Sequence, residues 1–259
     1  YLGSSRQLLA NTKVECAFSV ELAGSTAAGT SPKVGKALRA CGMSETVAAN
    51  TSVTYAPVSG SFESATIYYN VDGVLHKTTG CRGTFALEAS VGEIPKLNFS
   101  FSGIYVAPLD VALPTVTYGN QATPLIFKNG NTTGFQLLSY SGACQSIEFD
   151  LGVTTEYMEL VGGSKQVHII DRNSAGSVTI EAPTVAQKDY FSAALSDTSL
   201  GNLTFTHGTT AGNIVQFAST KIDIGDVSYT ELNGIVMAEI PITACPSTSG
   251  NDEFSLIYK

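Results

Sequence analysis

The residues best suited to chemistry are few and scattered. Each of the three histidines, His76, His168 and His207, stands alone inside a strand-like pattern, without the H-x-H or H-x-x-x-H spacing of a metal site. A lone histidine of this kind reads as structural. The five cysteines, Cys16, Cys41, Cys81, Cys144 and Cys245, are an odd set separated by 25, 40, 63 and 101 residues, so the sequence offers neither a disulfide framework nor a C-x-x-C ligand pair. They read as small apolar residues of a reducing compartment. The segment GTSPKVGKA, Gly29–Ala37, has the flavour of a phosphate-binding loop, but its first glycine lies one residue too far away. Ala37 also stands where a Mg²⁺-ligating hydroxyl is required. Carboxylate pairs such as Glu148/Asp150 and Asp223/Asp226 could serve acid–base chemistry, yet carboxylates at i, i+2 are equally the mark of a solvated strand face. No catalytic, cofactor-binding or metal-ligating residue is predicted, and no cofactor.

The elements that would position such groups are mostly strands. Charged residues make up 14% of the 259 and 25 residues are glycine, a balance that disfavours both disorder and a coiled coil. The net charge of −8 argues against a protein whose work is to grip nucleic-acid phosphates. No apolar run approaches the roughly 18 residues of a membrane span, and no membrane partner is expected. The absence of Trp weakens a sugar-binding reading. The sequons at Asn50, Asn98, Asn131 and Asn202 are expected by chance in a chain this rich in Ser, Thr and Asn.

Residues 13–22 alternate strictly, with Val14, Cys16, Phe18, Val20 and Leu22 on one face. Ser31-Pro32 then predicts a helix over about 32–41, with Val34, Leu38 and Cys41 on its apolar side and Gly42 at its end. Strands are predicted at 52–57 and 63–71, with an Asp72-Gly73 hairpin turn back through Val74 and Leu75. A second hairpin pairs Phe85, Leu87 and Ala89 with Leu97, Phe99 and Phe101, and the proline-punctuated stretch 107–114 reads as a linker.

The second half repeats this order. A strand through Val178 and Ile180 precedes a capping box at Thr184/Gln187 and a helix carrying Tyr190, Phe191, Ala194 and Leu195. Strands follow at 203–207 and 214–218. A long last hairpin turns at residues 231–234 and returns through Val236, Ala238, Ile240 and Ile242. Extra strand-like segments, at 146–152, 154–161 and 165–171, precede the second helix, whereas only about a dozen residues precede the first. The repeat therefore predicts tandem units at 1–108 and 109–259, the first lacking some tens of upstream residues. Residues 1–108 hold 8 basic and 7 acidic residues, net +1; residues 109–259 hold 6 and 15, net −9. Fields of this kind suit side-by-side packing of the two units.

Several stretches then carry a family likeness: FSVELAG from Phe18 and KALRACGMSE from Lys36; TYAPVS from Thr54 and SATIYY from Ser64, continuing into DGVLHK from Asp72; GTF from Gly83 and IPKLNFSFSGIY from Ile94; MAEIPITA from Met237 and DEFSLIY from Asp252. Together they resemble the two-domain major tail tube proteins of bacteriophages with long flexible tails, most strongly in residues 14–108 and 221–259. The resemblance implies a mainly β fold with short helices (α+β), built as two tandem β-sandwich domains each flanked by one helix. It implies a non-enzymatic structural virion protein: a homotrimer forming a pseudo-hexameric ring, with rings stacked into a tube. Implied partners are other copies of the chain and the tape measure, tail terminator and distal tail proteins, with phage DNA passing through without specific binding during ejection. The implied location is the virion tail, after synthesis and assembly in the host bacterial cytoplasm. Acidic residues of the final hairpins, Glu88 and Asp223, are candidates to face the lumen, where DNA, with about one charge per 1.7 Å, should be repelled rather than held. A β-sandwich adhesin or carbohydrate-binding module is the alternative.

Overall fold

The computed structural model describes residues 4, 6, 8, 10–117, 119, 121–196 and 200–259. In chain order the elements are β1 (Lys13–Glu21), α1 (Gly35–Ala40), β2 (Met43–Ala48), β3 (Ser52–Pro57), β4 (Ala65–Val71), β5 (Val74–Ser90), β6 (Lys96–Tyr105), β7 (Leu109–Asp110) and β8 (Thr132–Leu137). There follow β9 (Cys144–Asp150), β10 (Val153–Glu159), β11 (Lys165–Arg172), β12 (Ala175–Glu181), α2 (Tyr190–Ala194), β13 (Gly201–His207), β14 (Val215–Ile224), β15 (Ser228–Leu232), β16 (Ile235–Ala244) and β17 (Ser255–Tyr258). The chain is mainly β with two short helices, as the sequence pattern indicates.

Local chemistry sets the hairpins. Asp72 and Gly73 have φ of 42° and 86°, and Asn233 and Gly234 of 51° and 84°. Two successive positive φ values make the type I′ turn, whose twist matches that of the strands it joins. Beyond the first turn, the two separate strands expected at Val74–Leu75 and Phe85–Ala89 are one 17-residue strand, β5. At Gly80, φ is +61° and the β5–β6 register slips between Thr79 and Arg82. This bulge bends one strand into two pairings, with β4 on its first half and β9 on its last.

The helices start later than their sequence signals. Val34, without a side-chain cap, precedes α1. Of the expected capping box only one half forms: the Thr184 N–H donates to Gln187 Oε1 at 3.0 Å, but the Gln187 N–H donates to the Thr184 carbonyl and not to its hydroxyl, which closes only a turn. The cap of α2 is Asp189, which accepts from the Ser192 N–H at 2.9 Å. The expected linker is partly ordered: Leu109 and Asp110 pair with Leu75 and Val74 as β7.

The larger sheet runs β1-β6-β5-β9-β12-β16-β14-β17-β3-β2, and β10–β11 form a separate two-stranded sheet. It folds over itself at β14, whose Ile222–Ile224 pair with β16 while Val215–Ala218 pair with β17 and β13. Between the layers Phe149 of β9 meets Phe217 of β14 at 4.8 Å and Phe254 at 4.7 Å. Full burial of each such ring stabilises by about 1.5–3 kcal/mol. Among the described residues three backbone ladders join residues 1–108 to 109–259: β5 to β9, β17 back to β3, and the short β5–β7 pairing.

Candidate functional site: an acidic sheet face and two open ends

Strands β6, β5, β9, β12 and β16 alternate a buried apolar face with a polar one, and β1 alternates a partly exposed apolar face with a polar one. On the buried face lie Phe99, Phe85, Phe149, Val178 and Ile240. Directly opposed residues of antiparallel neighbours share a face, so the register maps the other side. Lys96, Glu88, Glu148 and Ser177 form one row across four strands. Two residues along, Ala86, Asp150, Ala175, Thr243 and Asp223 form the next. Glu88 and Asp223, singled out from sequence, thus stand on one continuous face, both exposed. Glu15 and Glu21 of β1, Glu148 and Asp150 of β9, and Glu239 of β16 join them there.

The electrostatics of this face are unfavourable as they stand. Glu88 and Glu148 are cross-strand neighbours, and neither has an ion-pair partner among the described residues. Like charges directly opposed destabilise a sheet, by some fraction of the roughly 0.2–1 kcal/mol typical of cross-strand pairs. A face that only had to be soluble could alternate signs.

The sheet ends at β1 on one side and at β2 on the other, and β15 branches off β16; among the described residues β1 and β15 are each paired along one edge only, as is β2. At β1 and at β15 the core side is left open. At β1, Phe18 stacks on Phe99 at 5.4 Å and Phe101 at 5.9 Å but is 37% exposed. Beside it a groove of about 680 Å³ is lined by Val14, Cys16, Ile67, Tyr69 and His76. At β15, Tyr229 is opposite buried Ala238, so it too lies on the core side, and it packs on Phe191 of α2 at 5.9 Å. Sequence periodicity identifies the apolar face of β1 but not that β1 is a sheet edge, so these open edges were not foreseen.

A third feature locks the halves together. Arg172 of β11 donates to Val58 O at 2.8 Å and to Glu253 Oε1 at 2.5 Å, with only 12% of its side chain and 10% of that of Glu253 exposed.

The structure keeps the groups weighed for chemistry apart. His207 is buried, with Nδ1 2.9 Å from Thr132 Oγ1 and Nε2 3.2 Å from Leu125 O, and burial lowers its pKa from the ordinary value. His76 lies in the groove against Tyr69, and His168 pairs across the β10–β11 hairpin with Glu156. The cysteines are free; burial pushes the Cys81 thiol up to about 11 and Cys144 up to about 12, which makes both poor nucleophiles. Among the described residues no three His, Cys, Asp or Glu side chains cluster as a metal site would need. In the loop-like segment Gly29–Ala37, Gly35 lets the Tyr55 hydroxyl approach: a Cβ there would lie 2.2 Å from it. That hydroxyl donates to Glu45 Oε2 at 2.5 Å. The glycine serves packing.

No curated protein matches the chain. A family model described as phage tail tube protein matches residues 2–244, nearly its whole length, and lends no support to the adhesin alternative. An acidic sheet face, open sheet edges and a match of this extent agree, and the chain belongs to the phage tail tube protein family as a structural subunit of the tail tube.

Proposed function

We propose that residues 1–108 and 109–259 are two tube units, and that three copies of the chain close into a pseudo-hexameric ring whose rings stack into the tail tube. The observation that carries this reading is one continuous sheet with an acidic face, in which β1 and β15 each keep an unpaired edge among the described residues. An unpaired edge is an aggregation hazard unless something covers it, and ring closure removes both edges at once. Support for two units comes from the shared order of ladders. The strand before each helix, β1 or β12, pairs with the return strand of its unit's long hairpin, β6 or β16, which pairs in turn with the strand preceding it.

The acidic face, with Glu88 and Asp223, lines the channel. A wall of carboxylates repels the DNA phosphates, so DNA passes during ejection without specific binding. The role is non-enzymatic. Assembly in the host bacterial cytoplasm fits the five unpaired cysteines. Tape measure, tail terminator and distal tail proteins are the partners of such a tube.

The test is electron microscopy of concentrated protein with rotational averaging. Threefold rings with a central hole, stacked into tubes, are expected; sixfold averages without a threefold component would replace the trimer by a hexamer. The lumen assignment is checked separately with Glu88→Lys/Glu148→Lys/Asp223→Lys tubes, which should retain DNA that wild-type tubes do not. Equal DNA retention would move the acidic face to the outside.

A further inference from the structure

The stretch of chain after β7 is not slack. We infer that residues 122–127 are a tie, gripped by Asn213 and His207, that couples residues 109–259 to residues 1–108. Its consequence for a ring rests on the ring reading above; the tie itself does not.

Three observations carry it. First, the segment bonds to both halves of the chain. Toward the first half, the Ala122 N–H donates to Gly24 O at 2.9 Å, the Phe127 N–H donates to Glu93 O at 2.8 Å, and Phe127 O accepts from the Gly92 N–H at 3.0 Å. Toward the second, Asn213 Nδ2 donates to Thr123 O at 2.9 Å, His207 Nε2 lies 3.2 Å from Leu125 O, and Asn131 Nδ2 donates to Ile126 O at 2.9 Å. A carbonyl only accepts, so Nε2 carries the His207 proton in this contact. Second, Asn213 closes a circuit. Its Oδ1 accepts from the Gly24 N–H at 2.9 Å while its Nδ2 holds Thr123, and Gly24 O in turn holds Ala122. One side-chain amide thus joins a loop of the first half to the tie and uses both its acceptor and its donor. Third, the backbone there has little freedom. A Cβ on Gly24 would lie 2.2 Å from Gly212 O, and the β-branched Thr26 is held at a φ of 71° with its N–H on Gly212 O at 2.9 Å. Such a conformation persists only where the surroundings over-determine it. At the other end of the tie Phe127 is buried, edge-on to Phe205 at 6.2 Å and stacked on His207 at 6.1 Å.

The β5–β9 and β17–β3 ladders each join the halves within one layer of the folded sheet. The tie runs between layers, from the β5–β6 turn and the loop after β1 to β13 and the β13–β14 loop. In a ring it keeps the two halves of every subunit at one angle.

Amide exchange of the wild type is the first test. The Ala122 and Phe127 amides should exchange as slowly as those of β13, and exchange at the rate of an unstructured peptide would overturn the tie without any variant. Asn213→Asp then changes almost no shape: the acceptor for Gly24 stays, but a carboxylate oxygen replaces the donor to Thr123 O. Both amides should exchange about tenfold faster, together, while the β9–β12 ladder is unchanged. Acceleration at Ala122 alone would overturn the tie as a unit. Electron microscopy reads the consequence: wild-type rings of one diameter, against open arcs or a spread of diameters from Asn213→Asp. Variant rings as uniform as the wild type, despite fast exchange at the tie, would overturn its role in the ring. Wild-type protein that never forms rings sinks the ring reading and that role with it, and the exchange rates alone then decide the tie.

Discussion

The strands β1 and β12 each come just before one of the helices, yet among the described residues one is an open edge and the other lies in the middle of a sheet. Both alternate apolar with polar residues, so the apolar face alone does not decide burial. What decides it is the neighbour. β12 is flanked on both sides, and its surroundings are fixed by β11, whose Arg172 clamps Val58 and Glu253. β1 keeps an apolar face of the same kind in partial contact with solvent.

The largest effect that would sharpen this contrast is at the clamp. Arg172→Met leaves the Glu253 carboxylate buried and unpaired, and should destabilise the monomer by about 3–5 kcal/mol, read from the urea midpoint. A loss below 1 kcal/mol would show the junction between the halves to be held by the ladders alone. Next, Ile180→Ala at the sealed strand should cost about 2–5 kcal/mol. Phe18→Ala at the open one should cost only about 1–2 kcal/mol, because part of the ring is already in water. Equal losses would mean that β1 is as enclosed as β12.

Gly176→Ala brings a Cβ to within 2.0 Å of the Glu148 carbonyl in the neighbouring strand. It should cost about 1–3 kcal/mol as the β9–β12 ladder gives way, a loss readable as faster amide exchange there. The smallest effect is with pH. His207 is buried with its pKa held below the ordinary 6.5, so the unfolded chain binds its proton first. The stability it contributes is complete above about 6.5 and is lost as pH falls below that value. Urea midpoints at successive pH values should show this slope in the wild type and a shallower one in His207→Gln.

Much of this was legible in the residues. The alternation of β1, the Asp72-Gly73 and Asn233-Gly234 turns and the polar placement of Glu88 and Asp223 depend on a few adjacent residues. A strand's period and a turn's φ values are local quantities. β17 was different: no periodic pattern marks Ser255–Tyr258 as the strand that joins β14 to Ser52–Pro57 of β3, far earlier in the chain. Nor could periodicity tell that the apolar segments on either side of Gly80 form one bent strand, since a bulge changes pairing without changing composition.

The sequence by itself determined a mainly β chain, its repeated order of elements, its excess of carboxylates and, through the texture of its hairpins, its family. Only the tertiary structure decided which strands are edges, that Glu88 and Glu148 face each other across a ladder, and that aromatic side chains lie open at two unpaired edges of one sheet. The physical reason is that burial and charge pairing depend on neighbours far away along the chain, and a residue's own pattern does not record which strand comes to lie beside it.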